Sequence, residues 1–280
     1  MFLFYIIIYL ISSTIFNYGY KVITKNNISD GAITILIEII ASIFCMFIIP
    51  LFEIKFPSNF KIYIFLFFAI IFYTLNNRFG TTARKGLEVS TYSILKQLSN
   101  VFMVFASVVF FKEAFVLNKF IGALLIILSN IVVFYNKKSL KFNKHLIYGI
   151  LANVSLSIAL LLDVSYSNEF NLAFYIFLIF FIPSILTLLF EKIKFNQIIK
   201  EYKNSNKLII FITGISWAIM MITKLISYKL GSVMMVATLT SLTVILNIIF
   251  GYLINKEKDN LLKKILASIL IIIGIILIKI

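Results

Sequence analysis

Residues 89–135 read VSTYSILKQLSNVFMVFASVVFFKEAFVLNKFIGALLIILSNIVVFY, and the pattern within this stretch decides the fold. Two apolar runs, about 89–111 and 117–135, flank a polar break that begins at Lys112-Glu113. Each is near the ~20 residues that an α-helix needs to cross ~30 Å of hydrocarbon at ~1.5 Å per residue. Neither alternates with a period of two, which argues against the strands of a membrane β-barrel. Backbone polar groups in lipid must be satisfied within their own segment, so the stretch reads as a helical hairpin.

Outward from this hairpin the same grammar covers the chain. Ten apolar segments are expected at about 2–19, 32–52, 60–78, 89–111, 117–135, 146–163, 170–190, 208–225, 231–254 and 262–279, with the charged residues gathered mainly in the breaks. The composition agrees: 61% of residues are hydrophobic, 13% are charged, and the mean hydropathy is +1.05. A soluble domain of 280 residues has no interior large enough for that apolar surface, so the bilayer is the expected solvent. The N-terminus enters an apolar run at once without a basic leader and reads as the first transmembrane helix rather than a cleaved signal.

The net charge of +15 and pI of about 9.7 come from lysines between the apolar segments, so no nucleic-acid partner is expected. Links 1–2, 3–4, 5–6, 7–8 and 9–10 hold 18 of the 26 Lys and Arg residues. The positive-inside rule then places both termini outside the cytoplasm. The single cysteine, Cys45, makes neither an intramolecular disulfide nor a zinc site and reads as a buried thiol.

Shifting the chain by 144 residues superposes the segment boundaries to within a few residues. Lys85 then falls on Lys229, Val89 on Val233, Leu98 on Leu242, Lys112-Glu113 on Lys256-Glu257, Lys119 on Lys263 and Ile131 on Ile275. Tyr73 meets Trp217. The repeat has five helices, and an odd number forces consecutive copies to enter the membrane in opposite senses. The expected fold class is therefore an all-α integral membrane protein of ten transmembrane helices, built as two inverted five-helix repeats, 1–137 and 145–280. Secondary transporters use such repeats to form a site at the midplane.

With this layout the chain resembles the EamA-like transporters of the drug/metabolite transporter superfamily. The resemblance spans nearly the whole chain and rests on the 5+5 arrangement and the stretch 89–135. The family pattern of a polar fourth helix ending in glutamate, then a glycine-containing fifth helix, is met by Glu113 and Gly122. The second half keeps Glu257 but has Leu266 where the glycine would fall, and the family's fourth-helix proline is absent. The resemblance implies a secondary carrier of small metabolites without an ATP site.

Ionisable residues at the centre of a membrane helix cost about 2.5–3.5 kcal/mol on insertion scales, so each needs a partner or a wet cavity. Glu38 and Lys96 both lie about seven residues into helices that start on the same side, which places both roughly 10 Å deep. They read either as a substrate or proton site, with Lys96 holding an anionic group and Glu38 gating it, or as an ion pair locking two helices. Ser93, Lys96, Gln97, Asn100 and Ser107 form a polar stripe on the fourth helix, and Thr240 and Ser241 belong to a broader one on the ninth. These residues line a cavity or bond helix to helix.

Tyr73 and Trp217 are expected to face each other across the repeat axis, with Asn76 and Asn77 capping the third helix near the cavity. Pro183 is expected to kink helix seven.

Neither a phosphate-binding glycine loop nor paired histidines nor a nucleophile triad is present, so no enzyme activity and no cofactor or metal is expected. The expected function is secondary-active export or exchange of a small metabolite by alternating access. A sugar-phosphate or nucleotide-sugar type anion exchanger is the alternative within transport, and a non-transporting receptor or assembly subunit is the alternative outside it. The expected partners are a small-molecule substrate, the lipid bilayer and at most a second copy in a homodimer. The expected location is the bacterial plasma membrane.

Overall fold

The structure, a computed structural model, describes residues 1–25, 27–113, 117–136, 139–140, 143–253 and 261–279. The helices are α1 Phe2–Thr24, α2 Asp30–Ile48, α3 Phe60–Gly86, α4 Val89–Leu95, α5 Gln97–Val109, α6 Leu117–Phe134, α7 Lys144–Tyr166, α8 Leu172–Phe190, α9 Phe195–Asn204, α10 Lys207–Leu230, α11 Val233–Thr240, α12 Thr243–Leu253 and α13 Leu261–Lys279. α4 runs into α5 and α11 into α12, so the described residues hold ten long spans and the short α9. Eight of the spans are long and apolar enough to cross a membrane, and α6 and α13 are the other two. The chain is an integral, multi-pass membrane protein.

Polar residues set the helix starts. Asn143, Asn171 and Asn206 each accept, through Oδ1, the backbone N–H three residues on, at 2.8, 2.9 and 3.2 Å. Ser29 and Ser232 do the same through Oγ at 3.3 and 3.2 Å. Such caps satisfy N–H groups that the first turn leaves without partners. Ile7 and Ile11 of α1, Phe67 of α3 and Phe211 of α10 stay exposed on the outside. In a bilayer these residues meet acyl chains, not water.

Several expectations from the sequence change. α3 continues eight residues beyond the expected end near residue 78, so Asn76 and Asn77 lie inside the helix and do not cap it. Hydropathy stops too early there because the last turns carry Arg78, Arg84 and Lys85, whose charges are absorbed by partners rather than by a loop. α10 likewise runs past residue 225 to Leu230. The fourth and ninth spans are each broken, at Lys96 and at Ser241-Leu242. α9, in what read as a plain link, is docked by Glu201, whose Oε1 accepts the N–H groups of Ile28 and Ser29 at 2.7 and 2.6 Å. Pro183, where a kink is expected, lies within α8. Glu257 lies outside the described residues.

The packing is paired. α3 lies along α7, and α1 along α10; α2 packs on α8, and α6 on α13. In the middle α4 meets α12 and α5 meets α11, so the two broken spans cross antiparallel at their breaks. The central space between these pairs holds most of the buried polar side chains discussed below.

Candidate functional site

α1, α3, α4, α7 and α10 wall a central cavity. Their lengths place its three cations at different heights. Lys96 lies seven residues into its span, ~10 Å from the end where α3 finishes, and Lys224 lies six residues before the opposite end, ~9 Å deep. Arg84 is near the end of α3, above Lys96. The cations are therefore strung along the molecular axis.

Aromatic rings hold two of them. The Arg84 guanidinium stands 5.1, 4.9 and 4.2 Å from the ring centres of Phe16, Tyr20 and Tyr92. Gly80, one turn earlier on α3, makes room for it: a Cβ at that position would sit 2.7 Å from Arg84 Nη1. The Lys224 ammonium lies 5.7 and 5.9 Å from the rings of Tyr9 and Tyr228. Among the described residues Lys96 has no such ring contact. Lys224 is 2% exposed and Lys96 9%. Among the described residues, no side chain of the three makes an ion pair, and Arg84 Nε is buried without a hydrogen-bond partner. Cation–π contacts offset about 0.5–2 kcal/mol each, so the three at Arg84 and the two at Lys224 go towards the roughly 2.5–3.5 kcal/mol that a charge costs at the centre of a membrane helix. Lys96 has none among the described contacts, so the demand for negative charge is greatest there.

Two buried carboxylates sit near it. Asp163 is 0% exposed and accepts the Tyr175 hydroxyl at 2.7 Å and, on its other oxygen, the Tyr73 hydroxyl. It lies within electrostatic reach of Lys224 without closing to an ion pair. Glu38 accepts from Asn77 Nδ2 at 2.7 Å through Oε1, while its Oε2 is buried without a partner. Of the two readings of Glu38 and Lys96, the helix-locking ion pair is not formed. Asn77 of α3 takes Glu38, and Lys96 faces the cavity instead.

The expected site residues divide into three groups. Lys96, Tyr73, Asn76 and Trp217 line the cavity, and Glu38 stands behind its wall. Gln97, Asn100, Thr240 and Ser241 lie in the seam between the broken spans. Asn100 Nδ2 donates to Gln97 Oε1 at 2.9 Å and to Ser241 Oγ at 3.0 Å, and Thr240 Oγ1 donates to the Ala237 carbonyl at 3.0 Å. Of the two roles open to these four, cavity lining and helix-to-helix bonding, the described contacts show the bonding. Tyr73 and Trp217 share the cavity, but among the described ring contacts Trp217 stacks on Phe16, 5.0 Å between centres, rather than on Tyr73.

Arg84, Lys224 and Asp163 were missed in the sequence. Arg84 lies beyond the apolar run that ends near residue 78 and Lys224 lies at the last residues of the run that ends near 225, so hydropathy alone places neither inside a site. Asp163 carried a usable signal, an acidic residue at the end of an apolar segment.

Side-chain contacts tie the helices together towards both ends of the spans. At one, Lys85 pairs with Asp30 at 3.1 Å, and Arg78 pairs with Glu191 and Lys264 with Glu88. At the other, Asn171 donates from its side chain to the carbonyls of Ile49 and Phe52 at 3.2 and 3.1 Å. The space left for the centres of water-sized molecules is about 30 Å³, enough for a water or two, since one needs ~10–15 Å³ by that measure. Among the described residues no cluster of three His, Cys, Asp or Glu stands ready for a metal ion.

Comparison with known proteins agrees with this architecture. Residues 1–135 match the EamA-like transporter family, which bears out over that half the resemblance to drug/metabolite transporters. A protein of known crystal structure superposes with a TM-score of 0.68 at 14% identity, covering 98% of both chains, and so shares the fold. No curated protein matches the chain.

Proposed function

We propose that this chain, whose residues 1–135 match the EamA-like transporter family, is a secondary-active carrier of a small metabolite that works by alternating access. Its two halves, 1–137 and 145–280, act as inverted repeats. Three features support that reading. The 144-residue offset carries the start of α4 at Val89 onto the start of α11 at Val233, and the break at Lys96 to within a residue of the break at Ser241. The pairing of α3 with α7 has its counterpart in α10 with α1 once the halves are exchanged. The remaining close pairs, α2 with α8 and α6 with α13, map onto themselves. Broken helices at a repeat interface near the midplane are what rocking-type carriers use to hold substrate.

The observation that bears most on the cargo is the set of cations Arg84, Lys96 and Lys224 around one aromatic cavity, none in an ion pair among the described residues. It favours the anion-carrier reading: a substrate with a phosphate or carboxylate group, whose organic part meets Phe16, Trp217 and the tyrosines. Lys96, which among the described residues has neither a ring contact nor a carboxylate partner, is the primary anion ligand, and Glu38 is a proton carrier or gate behind the wall. The location we propose is a bacterial plasma membrane. A thermal-shift screen of purified protein against small organic anions, cations and neutral metabolites tests the proposal. Stabilisation by anions that disappears in Lys96→Ala supports it; stabilisation by cations or neutral compounds alone removes the anion reading.

A further inference from the structure

α9 joins the end of one membrane span, α8 at Phe190, to the start of the next, α10 at Lys207, so it lies at a membrane surface. Its sides differ. Ile198 and Glu201 are buried against the protein, and Glu201 Oε1 accepts the N–H groups of Ile28 and Ser29, the two residues before α2, at 2.7 and 2.6 Å. Gly31, in the first turn of α2, leaves room for the same link: a Cβ there would meet Ile193 Cδ1 at 2.5 Å. Phe195 and Ile199, four residues apart and so on one face, form an apolar edge that stays exposed. Phe190 and Leu208, at the facing ends of the two spans, are exposed as well.

The charge of this link is one-sided. Lys192, Lys194, Lys200, Lys203 and Lys207 are all exposed. The acidic residues between Phe190 and Lys207 are Glu191 and Glu201 alone. Arg78 takes Glu191, and the two backbone N–H groups take Glu201. A helix with an apolar edge beside a lysine-bearing one lies in the plane of a bilayer interface, and a cluster of lysines next to a membrane span attracts anionic headgroups.

We infer that α9 is an interfacial clamp for anionic phospholipid headgroups, and that lipid bound to its lysines holds Glu201 on the start of α2. The occupant is the lipid surface because membrane spans fix both ends of the link, and its uncommitted charges are all positive. Asp30, the first residue of α2, pairs with Lys85 at 3.1 Å, so the clamp steadies the end of the molecule where that pair sits. The inference requires only that the chain spans a membrane and stands apart from the anion-carrier reading.

The test is hydrogen–deuterium exchange of the Ile28 and Ser29 amides in the purified full chain, in nanodiscs of phosphatidylcholine alone and of an equal mixture with phosphatidylglycerol. A lysine near an anionic surface is worth about fivefold in binding. Both amides should therefore exchange at least about fivefold more slowly in the mixture. The Phe174 amide, capped by Asn171 on α8, serves as the reference and should not respond. Lys200→Gln with Lys203→Gln should abolish the difference, and Lys200→Arg with Lys203→Arg should keep it. Glu201→Ala should free both amides in either lipid. Equal exchange in the two lipids, a difference that survives the double Lys→Gln change or Glu201→Ala, or equal slowing at Phe174 overturns the inference. Slowing by soluble polyglutamate but not by phosphatidylglycerol assigns the lysines to a soluble acidic partner and overturns it too.

Discussion

Asn100 donates to the Ser241 hydroxyl at 3.0 Å, and so ties the break in one central span to the break in the other. Across the same seam Asn247 donates to Ser93 Oγ at 2.6 Å. In lipid, where no water competes, such bonds average about 0.6 kcal/mol and reach ~1.7 kcal/mol. A double-mutant cycle of Asn100→Ala and Ser241→Ala, read by unfolding in mixed micelles, should give coupling in that range. Zero coupling would separate the two residues energetically.

Lys96 is expected to destabilise the empty protein. Lys96→Met should raise the melting temperature without ligand, recovering a fraction of the roughly 2.5–3.5 kcal/mol that a membrane-centred charge costs. The same variant should lose all stabilisation by phosphate-bearing compounds. A lower melting temperature for Lys96→Met would mean that the ammonium has a stabilising partner.

Gly80 controls Arg84 at close range. In Gly80→Ala the new methyl would lie 2.7 Å from Nη1, so the guanidinium must shift among Phe16, Tyr20 and Tyr92 to make room. Anion affinity should fall about tenfold, equivalent to ~1.4 kcal/mol, with helical circular dichroism unchanged. Unaltered affinity would take Arg84 out of the binding set.

The end closed by Lys85–Asp30 and Arg78–Glu191 should be a gate. Partly exposed ion pairs are worth up to ~1 kcal/mol each, so Arg78→Ala with Lys85→Ala should shift the closed-to-open ratio on the order of tenfold. Maleimide labelling of Asn76→Cys from that face reports the change. No gain in labelling rate would place the seal elsewhere.

The sequence revealed the helices more fully than the site. Ten spans followed from apolar run lengths, and the 144-residue offset from aligned breaks, because both are one-dimensional properties. The site depends on which polar side chains end up inside. Arg78, Arg84 and Lys85 read as a loop, yet α3 carries them as helix because ring faces and acidic residues from α1, α2 and α8 accept them. Lys224 was hidden the same way, six residues inside a helix whose apolar signal ends beside it. Gln97 and Ser241 looked like lining residues because periodicity gives a face, not the neighbour that the face meets.

Trp217 is the single tryptophan and lines the cavity, so its emission reports occupancy directly. Titrating a phosphate monoester into the purified protein should change Trp217 fluorescence saturably, and Lys96→Ala and Lys224→Gln should abolish the change while leaving the unliganded spectrum intact. A saturable response that is identical in wild type and both lysine variants, or one given only by cationic and neutral compounds, would contradict an anion site at this cavity.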